Sequence, residues 1–537
     1  MHVVAAAVLL TCLNAVKPFQ TDDPMYLKYG AEFAAHPLKP YDFLFGSPFV
    51  HPANEHVDPP VLPYWLGFEL KVFGDRPALL KIGLLPFALA LSAAVAFLGA
   101  RLAPSLQIPL LWLAVLSPTI LPGFNLMLDV PVLALGLSAL VVAIASIACN
   151  SYSLAVISGL LLGLAIQTKY TGIIACATIL TWCVFNHRVR YGFVIIGIGL
   201  GIAVAWECFV ASTAGQSHFL LQLHREGGNP IRRMVHLVLP LLSHGAGLSP
   251  VIAVLAMVAL SWSPVRVLVM SVALIACLVA LALTPSQRPL LSADNGRSIL
   301  TISNLIYAVA ALIVWGTFAH VCARLGRRTD SSVTENFINW FLLAWLAIEL
   351  LGYFALSICP AARRMNGIVL VLTFLAVRLA HLEKIRPRIA ALICTCGVGF
   401  ALLFYITDWL EARAQEIAAH ETAQQPTWRQ GAGRFWVLSW WGFGYYAERE
   451  GLRPLQLNRD MPRPGDLLAV DRGPSSFAQT QKILQLEPIA TLIVRDSFPF
   501  RTLIGYYHGG TPLENQRDGR SPVTIYRVTA IISPANQ

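Results

Sequence analysis

Residues 129–148 read DVPVLALGLSALVVAIASIA. A single carboxylate heads a run, 130–148, that contains no charge at all. Crossing the ~30 Å hydrocarbon core of a bilayer takes about 20 such residues in a helix. Comparable runs recur at Leu79–Ala100, Phe193–Val210, Val251–Leu260, Val267–Leu283, Ile306–Ala319 and Phe341–Leu356. A soluble domain carries about 25% charged residues, whereas these 537 residues are 13% charged and 56% apolar. Mean hydropathy is +0.62. The chain therefore reads as an α-helical polytopic membrane protein.

About 13 spans are expected, at 2–16, 77–100, 107–121, 130–148, 154–168, 170–185, 191–211, 236–261, 266–284, 300–321, 337–357, 367–380 and 389–407. Met1–Val16 lacks a basic n-region, and Pro18–Asp22 is not a small-residue cleavage site, so the first run reads as a retained span. Its shortness leaves a start upstream open. No fixed-period repeat and no inverted pair of halves is visible. The ten cysteines sit in or beside apolar runs, and no disulfide or zinc spacing appears. Net charge is +10, but no block of Lys/Arg interleaved with aromatics marks a nucleic-acid surface.

Two parts are not spans. Residues 17–76 form a long first loop, and residues 408–537 form a mixed end domain beyond a membrane domain of residues 1–407. In the end domain RFWVLSW, DLLAVDR, TLIVRD and VTIYRV read as strands, while GFGYYAEREG and FAQTQKILQL read as helices, giving a small α/β unit. An odd number of spans puts it on the same, extracytoplasmic side as the first loop. In that orientation the outer side carries Arg225, Arg232, Arg233, Arg288, Arg297, Arg363 and Arg364. This weakens the usual excess of cytoplasmic cations and suggests that some outer arginines serve an anionic ligand.

The first loop opens with QTDDPMYLKYG, residues 20–30. Pro24 suits the first position of a helix, which makes Asp23 its natural N-cap. Asp22 is then left over at the mouth of the first span, where an ionisable group is a functional candidate. Tyr26, Tyr29 and Phe33 fall on one face and suit a helix lying in the membrane interface. HVDPPVLPYWLGFELKVFG reads as a second interfacial helix. Asp129 reads either as a cap or as a second functional acid. His51, Glu55 and His56 read more readily as solvated loop than as a metal cluster. HREGGNPIRR (224–233) reads as an outer loop able to close over a ligand. Glu207 and Glu349, inside apolar runs, are expected to pair with basic neighbours.

In this order the motifs resemble the GT-C class of membrane glycosyltransferases, in the protein O-mannosyltransferase and aminoarabinose transferase branch. Asp22-Asp23-x-x-Tyr26 is similar to that family's Asp-Glu-x-x-Tyr motif. PP…YW follows, then Asp129 ahead of Pro131, then LLLGLAIQTKYTG (160–172), like the family's glycine-rich span ending in Thr-Lys-Gly. The resemblance covers about residues 1–380. Asp23 stands where the family has Glu, and Asp58 where it often has a basic residue. Arg363-Arg364-Met365 stands where relatives have Arg-Tyr and a proline.

The resemblance implies inverting transfer of a sugar from a polyprenyl-phosphate donor to an acceptor hydroxyl of a lipid, glycan or protein, at the outer face of the cell membrane. The candidate catalytic residues are Asp22, Asp23 and Asp129, with Asp22 as the general base. Lys169, Arg363 and Arg364 are the candidates for holding the donor phosphate. A divalent metal ion between Asp22 and Asp129 is left open. The main rival is a transporter or flippase, which Glu349 would suit; a receptor using 408–537 as its binding module is a third reading.

The topology is open to test. Cysteines placed beside Asp22 and at 475–480, in a cysteine-free background, should react with an impermeant reagent from one and the same compartment. Labelling from opposite compartments would contradict it.

Overall fold

The computed structural model describes residues 1–537 except 56–57, 226–229, 285–301, 329–332, 358, 427–432, 440, 472–473, 508, 510, 517–518 and 533–537. Among the described residues eight helices are long and apolar enough to cross a membrane. One further pair, Leu237–Leu248 and Pro250–Ala259, is bent by 73°, and four shorter apolar helices accompany them. The four are His2–Ala15, Pro104–Val115, Tyr152–Thr168 and Tyr170–Phe185. Together these segments occupy the places of the 13 expected spans. The bend falls where Pro250 starts a new helix, because its ring nitrogen cannot donate to the preceding turn.

Between the first two spans lie the helices Asp23–Ala35 and Val61–Phe73. They cross at a glycine pair: a Cβ on Gly67 would stand 2.6 Å from the Gly30 carbonyl oxygen. The aromatic face of the first helix does not meet lipid, as its spacing suggested. Tyr29 and Phe33 are buried and pack edge-on against Tyr41, Phe43, Phe45 and Tyr64. The loop after the helix supplies enough aromatic surface to cover that face with protein.

The end domain is built on a five-stranded sheet. Its strand order is Arg453–Pro454, Phe435–Leu438, Leu467–Val470, Arg520–Ile531 and Leu484–Val494. The first three strands run parallel; the long Arg520–Ile531 strand is antiparallel to both its neighbours. FAQTQKILQL is helical only within Pro474–Gln481. Its second half begins a strand, because the β-branched stretch that follows pairs along Arg520–Ile531.

The limit expected at 407/408 falls inside one continuous helix, Pro387–Ala423. Residues 408–423 are rich in Ala and Glu and contain neither Gly nor Pro, so nothing stops the helix where the composition changes. The sheet rests on its last turns through Ala418, Ala419 and Ala423. The domain also sits on the first loop: Asn458 exchanges hydrogen bonds with Val50, and the Leu457 N–H donates to the Pro48 carbonyl.

A buried ionic core joins these parts. Lys17 and Asp408, both fully buried, pair at 2.7 Å. Lys81 lies 3.5 Å from Asp23, again with both side chains buried, and donates to the Lys17 and Pro18 carbonyls. Asp23 is not the cap its position suggested. The helix N-cap is Asp22, which makes no capping bond. The Asp23 carboxylate instead accepts from the Gln20 and Leu126 N–H groups at 3.1 and 2.9 Å. It thereby ties the first loop to the segment that precedes Asp129. Burial pushes its pKa up against the opposing pull of Lys81.

Asp23→Asn should therefore damage the fold. Asparagine can accept from one of the two N–H groups but turns its own NH2 toward the other, and it leaves Lys81 buried without a counter-charge. A loss of about 3–5 kcal/mol is expected, read as a lower unfolding midpoint in detergent and partly restored by adding Lys81→Met. Glu69 gives a pH test. It packs against Gly83, where a Cβ would clash with its carboxylate, and burial pushes its pKa up to about 8. Folding then takes up a proton between the unfolded pKa of about 4.5 and the folded 8. Stability is full below that window and falls as pH rises through it. Glu69→Gln should flatten this fall; an unchanged pH dependence would contradict the assignment.

Candidate active site

Three breaks in the helical pattern deliver the site. In the first, the chain leaves the first span through a turn in which Thr21 holds φ +44. A β-branched residue is costly in that region, and the turn persists because its neighbours are fixed: Gln20 by Asp408 and Tyr507, Asp23 by Leu126. The strained turn presents Asp22. In the second, the helix Tyr152–Thr168 ends at Lys169, whose backbone is extended before the chain re-enters a helical turn at Tyr170. Gly172 lets that turn fold back tightly, since a Cβ there would lie 2.6 Å from the Ala165 carbonyl. In the third, Arg363 and Arg364 lie in a 3-10 turn, Ala362–Met365, at the head of the helix Asn366–Leu382.

These breaks and the head of the Asp129–Ala148 helix converge. One Arg363 nitrogen, Nη1, stands 3.3 Å from Asp22 Oδ2 and 3.4 Å from Asp129 Oδ2. Lys169 Nζ donates to Asp129 Oδ1. The cap reading of Asp129 does not hold, because its side chain makes no capping bond and spends both oxygens on cations. Lys169 turns inward to Asp129. Behind the cluster lies a cavity of about 110 Å³ lined at its polar end by Asp129, Lys169, Arg363 and Arg364 and along its walls by Leu133, Leu137, Leu140 and Ile174. Around it Arg363 Nε, Arg364 Nε, Tyr353 Oη and Asn366 Oδ1 find no hydrogen-bond partner among the described residues.

Exposure separates the two acids of the pair: the Asp22 side chain is 25% exposed and that of Asp23 is fully buried. Tyr26, one turn on, is held neutral by burial and by the nearby Asp58 and Asp22 carboxylates, so its phenol is a donor. A metal does not fit here. A guanidinium already occupies the position between Asp22 and Asp129 that a bridging cation would take. Among the described residues no group of three or more His, Cys, Asp or Glu could hold a metal. His56 of the loop histidine pair lies outside the described residues. Among the described residues Glu207 is met by Tyr170, Ser217 and the Phe219 N–H rather than by a cation. Glu349 accepts from Trp345 and lines the cavity. Of the other outer arginines, Arg288 and Arg297 lie outside the described residues, as do the side chains of Arg225, Arg232 and Arg233 and the Gly-rich centre of 224–233.

Residues that sequence reasoning missed support this cluster from below: Lys17, Gln20, Lys81, Asn125, Asp408 and Tyr507. Only Lys81 carried a local signal, as a charge inside an apolar run.

No protein-family model matches the chain, and no curated protein matches its sequence. Solved structures do resemble it in shape. One is the oligosaccharyltransferase of Archaeoglobus fulgidus in its apo form, at 14% identity and a TM-score of 0.42, with 85% of this chain and 64% of that chain covered. This chain therefore spans just under two thirds of that protein's length. Another is ArnT from Cupriavidus metallidurans bound to undecaprenyl phosphate, at 16% identity and a TM-score of 0.43, with 97% of both chains covered. A third is the mycobacterial arabinofuranosyltransferase AftD, at 13% identity and a TM-score of 0.44, with 98% of this chain and 39% of that chain covered.

Proposed function

We propose that the protein is a membrane glycosyltransferase of the GT-C class that moves a sugar from a polyprenyl-phosphate donor to an acceptor hydroxyl. The observation that carries this reading is the Arg363 guanidinium between Asp22 and Asp129, with Lys169 on Asp129 and an apolar-walled cavity behind. At its polar end the site brings three cations, Lys169, Arg363 and Arg364, against two carboxylates, Asp22 and Asp129, while Glu349, also on the cavity lining, is hydrogen-bonded to Trp345. The surplus positive charge and the unmet guanidinium donors suit a phosphate, and the apolar wall suits the first part of a lipid chain.

In the proposed reaction the acceptor oxygen attacks the anomeric carbon as its proton passes to an Asp22 carboxylate oxygen. The bond from that carbon to the phosphate oxygen breaks with its electron pair, and the sugar carbon inverts. The leaving phosphate gains charge as the bond breaks, so Arg363, Arg364 and Lys169 favour the transition state over the bound donor. Asp129 holds two of these cations in place and takes no proton. Asp22 is the more exposed member of its pair and faces the outer side, where a water-borne or lipid-borne acceptor would meet the donor. On this reading the protein works at the outer face of the cell membrane.

Asp22→Asn should lower transfer by about 100-fold or more, the worth of a positioned base, while donor binding survives because Arg363 keeps Asp129. Asp129→Asn should weaken donor binding as well, since both Lys169 and Arg363 lose an anchor. The measurement is turnover of polyprenyl-phosphate sugars by purified variants, with donor affinity read alongside. Near-normal turnover by Asp22→Asn would overturn the assignment of the base.

A further inference from the structure

The end domain reaches into the catalytic cluster with one side chain. Tyr507, at the end of the short helix Leu503–Tyr507, is fully buried beneath the site. Its hydroxyl accepts from Gln20 Nε2 and Asn125 Nδ2, each at 2.8 Å, and lies 3.2 Å from Asp408 Oδ2, to which it donates. Its ring carries the Arg363 guanidinium, whose carbon stands 5.9 Å from the ring centroid. Each contact leads to a different part of the cluster. Gln20 opens the strained turn at Thr21 that presents Asp22. Asn125 lies in the segment before Asp129, next to the Leu126 N–H that Asp23 accepts. Arg363 is the bridge between the two acids.

We propose that Tyr507 is a positioning residue for this site: its hydroxyl fixes the Gln20–Asp22 turn and the approach to Asp129, and its ring is the floor under Arg363. The geometry makes the end domain a structural part of the catalytic centre rather than a separable binding module. Gln20, Asn125 and Asp408 are all buried, so no water can take over the lost hydroxyl without rearrangement. The neighbouring Tyr506 does a simpler job: it donates to the Thr119 carbonyl and anchors the same helix. The catalytic consequence rests on the glycosyltransferase reading, but the placement of Asp22 and Arg363 does not.

The test uses the full chain in detergent with two substitutions. Tyr507→Phe removes the hydroxyl and keeps the ring; Tyr507→Leu removes both. Asp22 is labelled with a water-soluble carbodiimide and an amine and quantified by mass spectrometry, with the buried Glu411 of the end-domain helix as the control for general loosening. Release of the turn should raise Asp22 labelling about three-fold in Tyr507→Phe, the weight of about one hydrogen bond, and further in Tyr507→Leu, with Glu411 unchanged. Transfer by Tyr507→Phe should drop about ten-fold in kcat, as expected of a slightly misplaced base, with the KM for donor unchanged. Wild-type Asp22 labelling in both variants overturns the proposal, as does a rise matched at Glu411. A wild-type chain that transfers no sugar would contradict the proposed function, and the labelling ratio would still decide the role of Tyr507.

Discussion

A guanidinium held between two carboxylates organises this membrane protein. Arg363 meets Asp22 across 341 positions of sequence and Asp129 across 234, and Lys169 closes the cluster from the far side of Asp129. Charges at the edge of a bilayer are costly when alone and tolerable when paired. Each of the four has a partner, and each sits where a helix begins, ends or breaks. The breaks and ends of these helices bring the four charges into one cluster, of which Asp129, Lys169 and Arg363 line the cavity.

Beneath this cluster lies a second ionic layer, sealed from water. Lys17 with Asp408 and Lys81 with Asp23 bind the first span, the second span, the helix that opens at Asp23 and the last span into one body. Such buried pairs stabilise less than their Coulomb attraction suggests, but removing one member leaves a bare charge and is severe. Their value here is geometric. They fix the turn at Thr21, whose backbone would otherwise relax, and so hold Asp22 at the surface while Asp23 is locked inside. Two adjacent, chemically identical side chains thus take opposite parts: one structural and buried, one partly exposed and paired with Arg363.

Much of the fold was legible because its signals are local. Hydropathy runs such as 130–148 need no distant partner to be read, and Pro24 marks a helix start by its own chemistry, whereas the single span expected over 236–261 is broken at Pro250 into two helices bent by 73°. The candidate acids and cations stood out as polar residues at span ends, and the structure places Asp22, Asp129, Lys169, Arg363 and Arg364 around one site. What was not legible depends on distance along the chain. Asp23 looked like a cap because its partners, Lys81 and Leu126, are far away in sequence. The helix through 407/408 hid a domain join, because composition shifted while helix propensity did not. Tyr507 had no signal at all: its meaning comes from Gln20, 487 positions earlier, and from Arg363.

The central claim is that this cluster receives a lipid-linked phosphate. The most direct measurement is a structure of the protein with a polyprenyl phosphate bound. The account predicts phosphate oxygens within hydrogen-bond distance of Arg363, Arg364 and Lys169, the lipid chain leaving along Leu133, Leu137 and Leu140, and the Asp22 carboxylate free on the outer side. A phosphate seated elsewhere, with Arg363 still closed on both carboxylates, would contradict it.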